Sequence, residues 1–225
     1  MQAAALPPKH IDIPSAWTAA TMNAKTSEWL VQLSPSDIGE LEHAATAFLA
    51  TTPEIGEITA GKFPLPRFGR RLAQMRETLL HGRGFELLRG LPVATYSQQM
   101  AAAIFCGIGA HLGSARSQNA MGHILGHVRD VGADASNPNT RIYQTAQRQT
   151  FHTDSSDVVG LLCIREAMEG GRSLLVSTSA IYNEMMRQRP DLVPLLFEAV
   201  ATDRRGEVPE GQKPYFEIPV LNWHA

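Results

Sequence analysis

Helical periodicity in this chain gives way after Gly113 to short apolar pieces, and that switch limits the fold more than any motif does. Before it, apolar residues recur at three- and four-residue spacing in separate stretches. "SPSDIGELEHAATAFLA" places Ile38, Leu41, Ala45, Phe48 and Leu49 on one helical face. Ser34 is the cap, Pro35 suits the first helical position, and Asp37 and Glu40 favour the positive end of the helix dipole. A second stripe of Phe68, Leu72, Met75, Leu79 and Leu80 predicts a helix over 67–81, stopped by Gly82 and Gly84. "FELLRG" reads as a short strand. A third helix, over 97–112, carries Met100, Ile104, Ile108 and Leu112 in register, while Gly107 and Gly109 count against its far end.

After Gly113 the pattern breaks into short apolar pieces divided by glycine: "HILGHVRDVG", "TRIYQTAQRQTFHTD", "VVGLLCIREA" and "SLLVST". Val158 to Arg165 is apolar at nearly every position, which predicts a strand buried on both faces. A helical section over 179–198 is divided by Pro190, and the tail "GQKPYFEIPVLNWHA" reads as a further strand. Residues 1–33 form an irregular lead-in that Trp17, Trp29 and Leu30 can pin to a core. Helices come first and strands after them. That order predicts α+β, or a β-barrel with helical cover, instead of a doubly wound parallel sheet.

Composition then removes whole classes of function. Twenty basic residues face 22 acidic ones, a formal net charge of −2, so phosphate backbones find no surplus of positive charge and nucleic acid is not an expected partner. The basic pairs Arg70-Arg71 and Arg204-Arg205 read as solvated faces. Hydrophobic residues at 44% and charged residues at 19% suit a globular chain with a substantial core. No apolar window is long enough to span a bilayer and no signal-peptide pattern opens the chain, so the expected setting is the cytosol, away from membranes. Cys106 and Cys163 sit in apolar runs outside any C-x-x-C, and are expected to be buried free thiols.

His152 and Asp154 stand two residues apart. In a strand such residues share a face, so an imidazole and a carboxylate can meet at one point. One further histidine would complete the two-His, one-carboxylate facial set of non-haem Fe(II) oxygenases. Spacing alone says little, since eight histidines and eight aspartates give on the order of 0.3 H-x-D matches by chance. His10-Ile11-Asp12 is such a match, in the irregular arm, and reads as accidental. His123 and His127 are four apart, but Gly122 and Gly126 argue against the helix a zinc pair would need.

Context is more specific than spacing. "FHTDSSDVVGLLCIREAMEGGRSLLVSTSAIYNEM" through "RPDL" resembles the TauD/TfdA-like family of Fe(II)- and 2-oxoglutarate-dependent dioxygenases, most closely over 141–192, and "GRGFELLRGLPV" resembles that family's early strand. The resemblance implies a double-stranded β-helix, of the jelly-roll or cupin-like kind, with flanking helices. It implies a single oxygenase domain over 1–225, of which this would be the N-terminal part. His152 and Asp154 would be catalytic iron ligands. Ser173, in Gly170-Gly171-Arg172-Ser173, would stand for the family's threonine and hydrogen-bond a 2-oxoglutarate carboxylate. Tyr143 and Thr145, by alternation, would look into the pocket. The expected cofactors are Fe(II) and 2-oxoglutarate as co-substrate. The expected partners are O2 and a small organic metabolite to be hydroxylated, with a homo-oligomer left open.

The family's second histidine and the arginine that anchors 2-oxoglutarate lie far beyond H-T-D, whereas 71 residues follow Asp154 here, with His224 their only histidine. Neither His224 nor Arg204 and Arg205 is assigned those roles. The fold is therefore expected to be incomplete at the C-terminus, and the 225-residue chain alone is expected not to couple 2-oxoglutarate decarboxylation to oxidation. The alternative is a catalytically inactive β-helix domain that serves as a partner or scaffold.

Overall fold

The structure is a computed structural model that describes residues 8–51, 54–118, 122–136, 140–204 and 208–223. Two compact units divide the chain. One comprises Asp12–Arg116 with Ser155–Ala180, and the other Met1–Ile11, Ser117–Asp154 and Ile181–Ala225.

The first unit is built on the three periodic stripes. Helix α1 is Ala19–Asn23, α2 Thr26–Trp29, α3 Pro35–Thr51, α4 Phe68–His81 and α5 Gln98–Leu112. Leu41, Ala44, Ala45 and Phe48 of α3 meet Phe68, Leu72 and Met75 of α4 and Ala103 and Ile104 of α5, with Phe63 and Leu65 filling the space between. Each large side chain removed from water contributes about 1.5–3 kcal/mol, so this cluster is what stabilises the unit.

The helix ends follow from the sequence. Ser34 Oγ accepts from the Asp37 N–H at 3.2 Å, while the Ser34 N–H donates to the Asp37 carboxylate at 2.9 Å. That reciprocal pair is a capping box, with the shorter Asp in place of Glu. Glu40 of α3 has a second role beside its helix-dipole one. Its carboxylate accepts from the Arg67 N–H at 2.8 Å and from the Phe68 N–H, and so caps α4 across the helix pair.

The lead-in is more regular than expected. Besides α1 and α2, strand β1 (Leu30–Gln32) pairs in parallel with β2 (Leu87–Arg89), with Leu30 opposite Leu87. Trp17 and Trp29 hold the lead-in on Phe85, which lies outside the buried core cluster onto which they were expected to pin it. The Trp17 indole N–H donates to the Arg83 carbonyl at 2.7 Å.

In the second unit, β3 (Ala199–Asp203) and β4 (Tyr215–Pro219) form an antiparallel ribbon, Ala199 opposite Pro219. The tail strand is thus present. Helix α6 is Thr178–Gln188, of which this unit includes the part from Ile181 onward; it is followed by a 3-10 turn over Val193–Phe197, with Pro190 in the break between them. Asn183 of α6 brackets the lead-in: its Oδ1 accepts from the Ile11 N–H at 2.7 Å and its amide donates to the Ile11 carbonyl at 2.8 Å.

The reading of 113–177 requires correction. Among the described residues of that stretch there is one 3-10 turn, Ile142–Gln144, and no strand. Val158 to Arg165 is neither paired nor buried: Leu161 is 75% exposed and Val159 52%. Cys163, expected inside, is exposed too, while Cys106 is partly buried and its thiol is pushed up to about 11 by that burial. The physical reason is that an apolar run becomes a strand only when another strand takes its N–H and C=O groups, and none of the described residues does so here. The molecule is α+β with few strands. No helix among the described residues is long and apolar enough to cross a membrane.

Candidate functional site

His152 and Asp154 lie in an irregular segment of the second unit, not on a strand, and both are exposed. Their donor atoms nevertheless approach. His152 Nε2 stands 3.9 Å from Asp154 Oδ1. On the other side of the ring, Nδ1 is 2.8 Å from the Thr150 carbonyl oxygen. A carbonyl accepts only, so Nδ1 is the donor and the neutral ring keeps its lone pair on Nε2. Metal-binding histidines have this arrangement: the second nitrogen donates to a carbonyl or carboxylate, which fixes both tautomer and ring orientation.

The donor set therefore suits a divalent transition metal. An imidazole nitrogen and a carboxylate oxygen approach each other on exposed residues, and ligand bonds of about 2.0–2.2 Å to a shared ion would draw them closer than 3.9 Å. The set is partial, since among the described residues no group of three or more His, Cys, Asp or Glu side chains is placed to hold a metal ion. His224 and Arg205 lie outside the described residues. Arg204 is committed to the β-ribbon, where its guanidinium sits 5.2 Å above the Phe216 ring and its Nε donates to the Lys213 carbonyl at 3.0 Å.

Tyr143 and Thr145 do not alternate along a strand, which corrects the basis on which they were chosen. Tyr143 belongs to the 3-10 turn, and the Thr145 hydroxyl donates to the Ile142 carbonyl at 2.8 Å, closing it. Both are half-buried. Backbone bonds from the Arg129 N–H to the Tyr143 carbonyl at 3.1 Å and from the Val131 N–H to the Gln144 carbonyl at 3.0 Å hold this turn against the preceding segment. Ser173 belongs to the first unit, exposed and outside any helix or strand; Gly170 and Gly171 before it take φ of 73° and 68°, a left-handed turn that favours glycine. His123 and His127 are exposed and not on a helix.

Sequence reasoning missed two partners of His152. One is the Thr150 carbonyl, a backbone atom with no signature in residue type. The other is Gln149, whose side-chain nitrogen lies 3.1 Å from His152 Nε2. Neither contact follows from strand alternation, because the segment is not a strand.

Comparison with known proteins agrees with the family resemblance. Residues 48–225 match the family model described as "Taurine catabolism dioxygenase TauD, TfdA family". The chain is similar to FR-33289 synthase of Streptomyces rubellomurinus (strain ATCC 31215), 31% identical over 211 residues that cover 93% of this chain and 62% of that protein. It is also similar to taurine hydroxylase-like protein SAT17 of Stachybotrys chartarum (strain CBS 109288 / IBT 7711), 32% identical over 213 residues, 92% of this chain and 54% of the relative. The chain thus spans little more than half of each of these relatives.

Proposed function

Because the chain belongs to the taurine catabolism dioxygenase TauD, TfdA family, we propose that it forms part of an Fe(II)- and 2-oxoglutarate-dependent dioxygenase that hydroxylates a small organic metabolite. The observation that carries this reading is the pairing of His152 Nε2 with Asp154 Oδ1 at 3.9 Å, with Nδ1 already donating to Thr150. One relative is named a hydroxylase-like protein and the family a dioxygenase, which supports insertion of oxygen into a C–H bond.

In this reading His152 and Asp154 hold the iron. The Ser173 hydroxyl donates to a carboxylate of 2-oxoglutarate, and Tyr143 and Thr145 face the substrate. Bound iron would supply the oxidising power from O2, with 2-oxoglutarate leaving as succinate and CO2. The part played by this chain is to hold the imidazole in one tautomer, set the carboxylate beside it and orient the co-substrate through Ser173. The complete oxygenase unit is proposed to be a double-stranded β-helix. The apolar stretch over 158–176 would supply strands to it, which its exposed Leu161, Leu174, Leu175 and Val176 support.

A second reading, an inactive β-helix domain acting as a partner or scaffold, draws on the partial donor set among the described residues. The two readings part in one assay on the natural protein that carries this chain: succinate release from 2-oxoglutarate with Fe(II), ascorbate and a panel of small carboxylic and sulfonic acids. Release that disappears in His152→Ala and in Asp154→Ala supports the enzyme. No release with any member of the panel, or release that persists in both variants, removes it.

A further inference from the structure

The hydrogen bonds around His152 determine what occupies its metal-facing nitrogen. With Nδ1 donating to the Thr150 carbonyl at 2.8 Å, the lone pair of the neutral ring lies on Nε2. The Gln149 carboxamide nitrogen stands 3.1 Å from that atom. A lone pair repels an amide oxygen and accepts an amide N–H, so Gln149 donates into it. Asp154 Oδ1, at 3.9 Å, is beyond hydrogen-bond reach of the same nitrogen. The group in contact with the coordinating atom is therefore the glutamine.

We infer that Gln149 is a displaceable occupant of the His152 coordination position: it holds the imidazole lone pair until a metal ion takes it, and must swing away for the Nε2–metal bond to form. This rests on the reading of His152 as a ligand. The tautomer does not depend on Gln149, because Thr150 sets it through the backbone. Removing the Gln149 donor therefore leaves the ligand-ready ring in place and takes away its competitor. Gln149 is exposed, so its side chain has room to leave and its replacement does not disturb a core. An exposed neutral hydrogen bond lies at the weak end of the usual range, which corresponds to a competition of about two- to fivefold in metal affinity.

The experiment uses the whole 225-residue chain, with Co(II) as the probe at one fixed neutral pH. Wild type, Gln149→Met and His152→Ala are compared by equilibrium titration, and the His152 tautomer is read from long-range proton–nitrogen correlations of 15N-labelled, metal-free protein. The expected result is an Nδ1–H tautomer in wild type and in Gln149→Met, Co(II) affinity about two- to fivefold tighter in Gln149→Met, and affinity lost by at least about tenfold in His152→Ala. If His152→Ala loses Co(II) while Gln149→Met binds it no tighter than wild type, the inference is overturned and the ligand reading stands. An Nε2–H tautomer in wild type overturns it as well. If His152→Ala binds Co(II) as wild type does, the ligand reading itself fails.

Discussion

The ring of Phe63 lies across Gly107 of α5 so closely that a Cβ on the glycine would stand 2.4 Å from it. The same residue is held a second time, since the His111 ring Nε2 donates to the Phe63 carbonyl at 2.8 Å. Gly109, two residues on, is exposed and has nothing within 4 Å of a built Cβ. The two glycines therefore predict opposite effects of the same substitution. Gly107→Ala gains helix propensity but overpacks Phe63, a net loss of about 1–3 kcal/mol. Gly109→Ala gains up to about 1 kcal/mol. Urea unfolding of the two variants measures both; equal effects would show that the Phe63 contact is not a constraint.

The α3 capping box predicts an acid sensitivity. Burial of Asp37 works against its charge, but hydrogen bonds from the Ser34 hydroxyl and backbone N–H, with the nearby Arg71 and Arg67, leave its carboxyl below the ordinary value. A depressed folded pKa adds stability that is complete above the unfolded value, near 3.9, and is lost as pH falls through the folded one. Ser34→Ala is expected to cost about 0.5–2 kcal/mol at neutral pH and to shrink this acid loss. Denaturant midpoints at neutral pH and from about pH 4 downward measure it.

Tyr96 predicts the opposite limb. Its hydroxyl donates to Glu42 Oε1 at 2.6 Å. Burial, then that hydrogen bond and the carboxylate charge, push its pKa well above the usual tyrosine value. The contribution is full below the unfolded value, near 10, and is lost as pH rises above it. Tyr96→Phe is expected to cost roughly 1–2 kcal/mol at neutral pH and to flatten the alkaline decline. An unchanged alkaline profile in the variant would assign that decline to other groups.

The exposed apolar stretch predicts dye binding. Leu161, Leu174 and Leu175 are 75%, 57% and 67% exposed. Replacing Leu161 and Leu175 together with serine is expected to lower 8-anilinonaphthalene-sulfonate fluorescence while leaving unfolding stability within about 0.5 kcal/mol per site. A large loss of stability would mean that these leucines are covered in solution.

What was legible in the sequence was what local spacing decides. The stripes of α3, α4 and α5 carry their own periodicity, and Ser34 and Pro35 mark a helix start whatever lies elsewhere in the chain. The pairing of β1 with β2 was not legible, because three residues give no period and the partner is over 50 positions away. The strand predicted over 158–165 failed for a related reason: an apolar run records what a segment would bury, not whether a neighbour is there to cover it. The approach of His152 to Asp154 was legible from their spacing. Its surroundings were not, because Thr150 acts through a backbone oxygen and Gln149 through a side chain three residues back on an irregular path.

The central claim is that His152 and Asp154 bind one metal ion together. Anaerobic Fe(II) titration of the 225-residue chain, beside His152→Ala and Asp154→Ala, tests it without any assumption about substrate. The account predicts that each substitution weakens Fe(II) binding by at least about tenfold. Fe(II) bound as tightly by either variant as by wild type would contradict it.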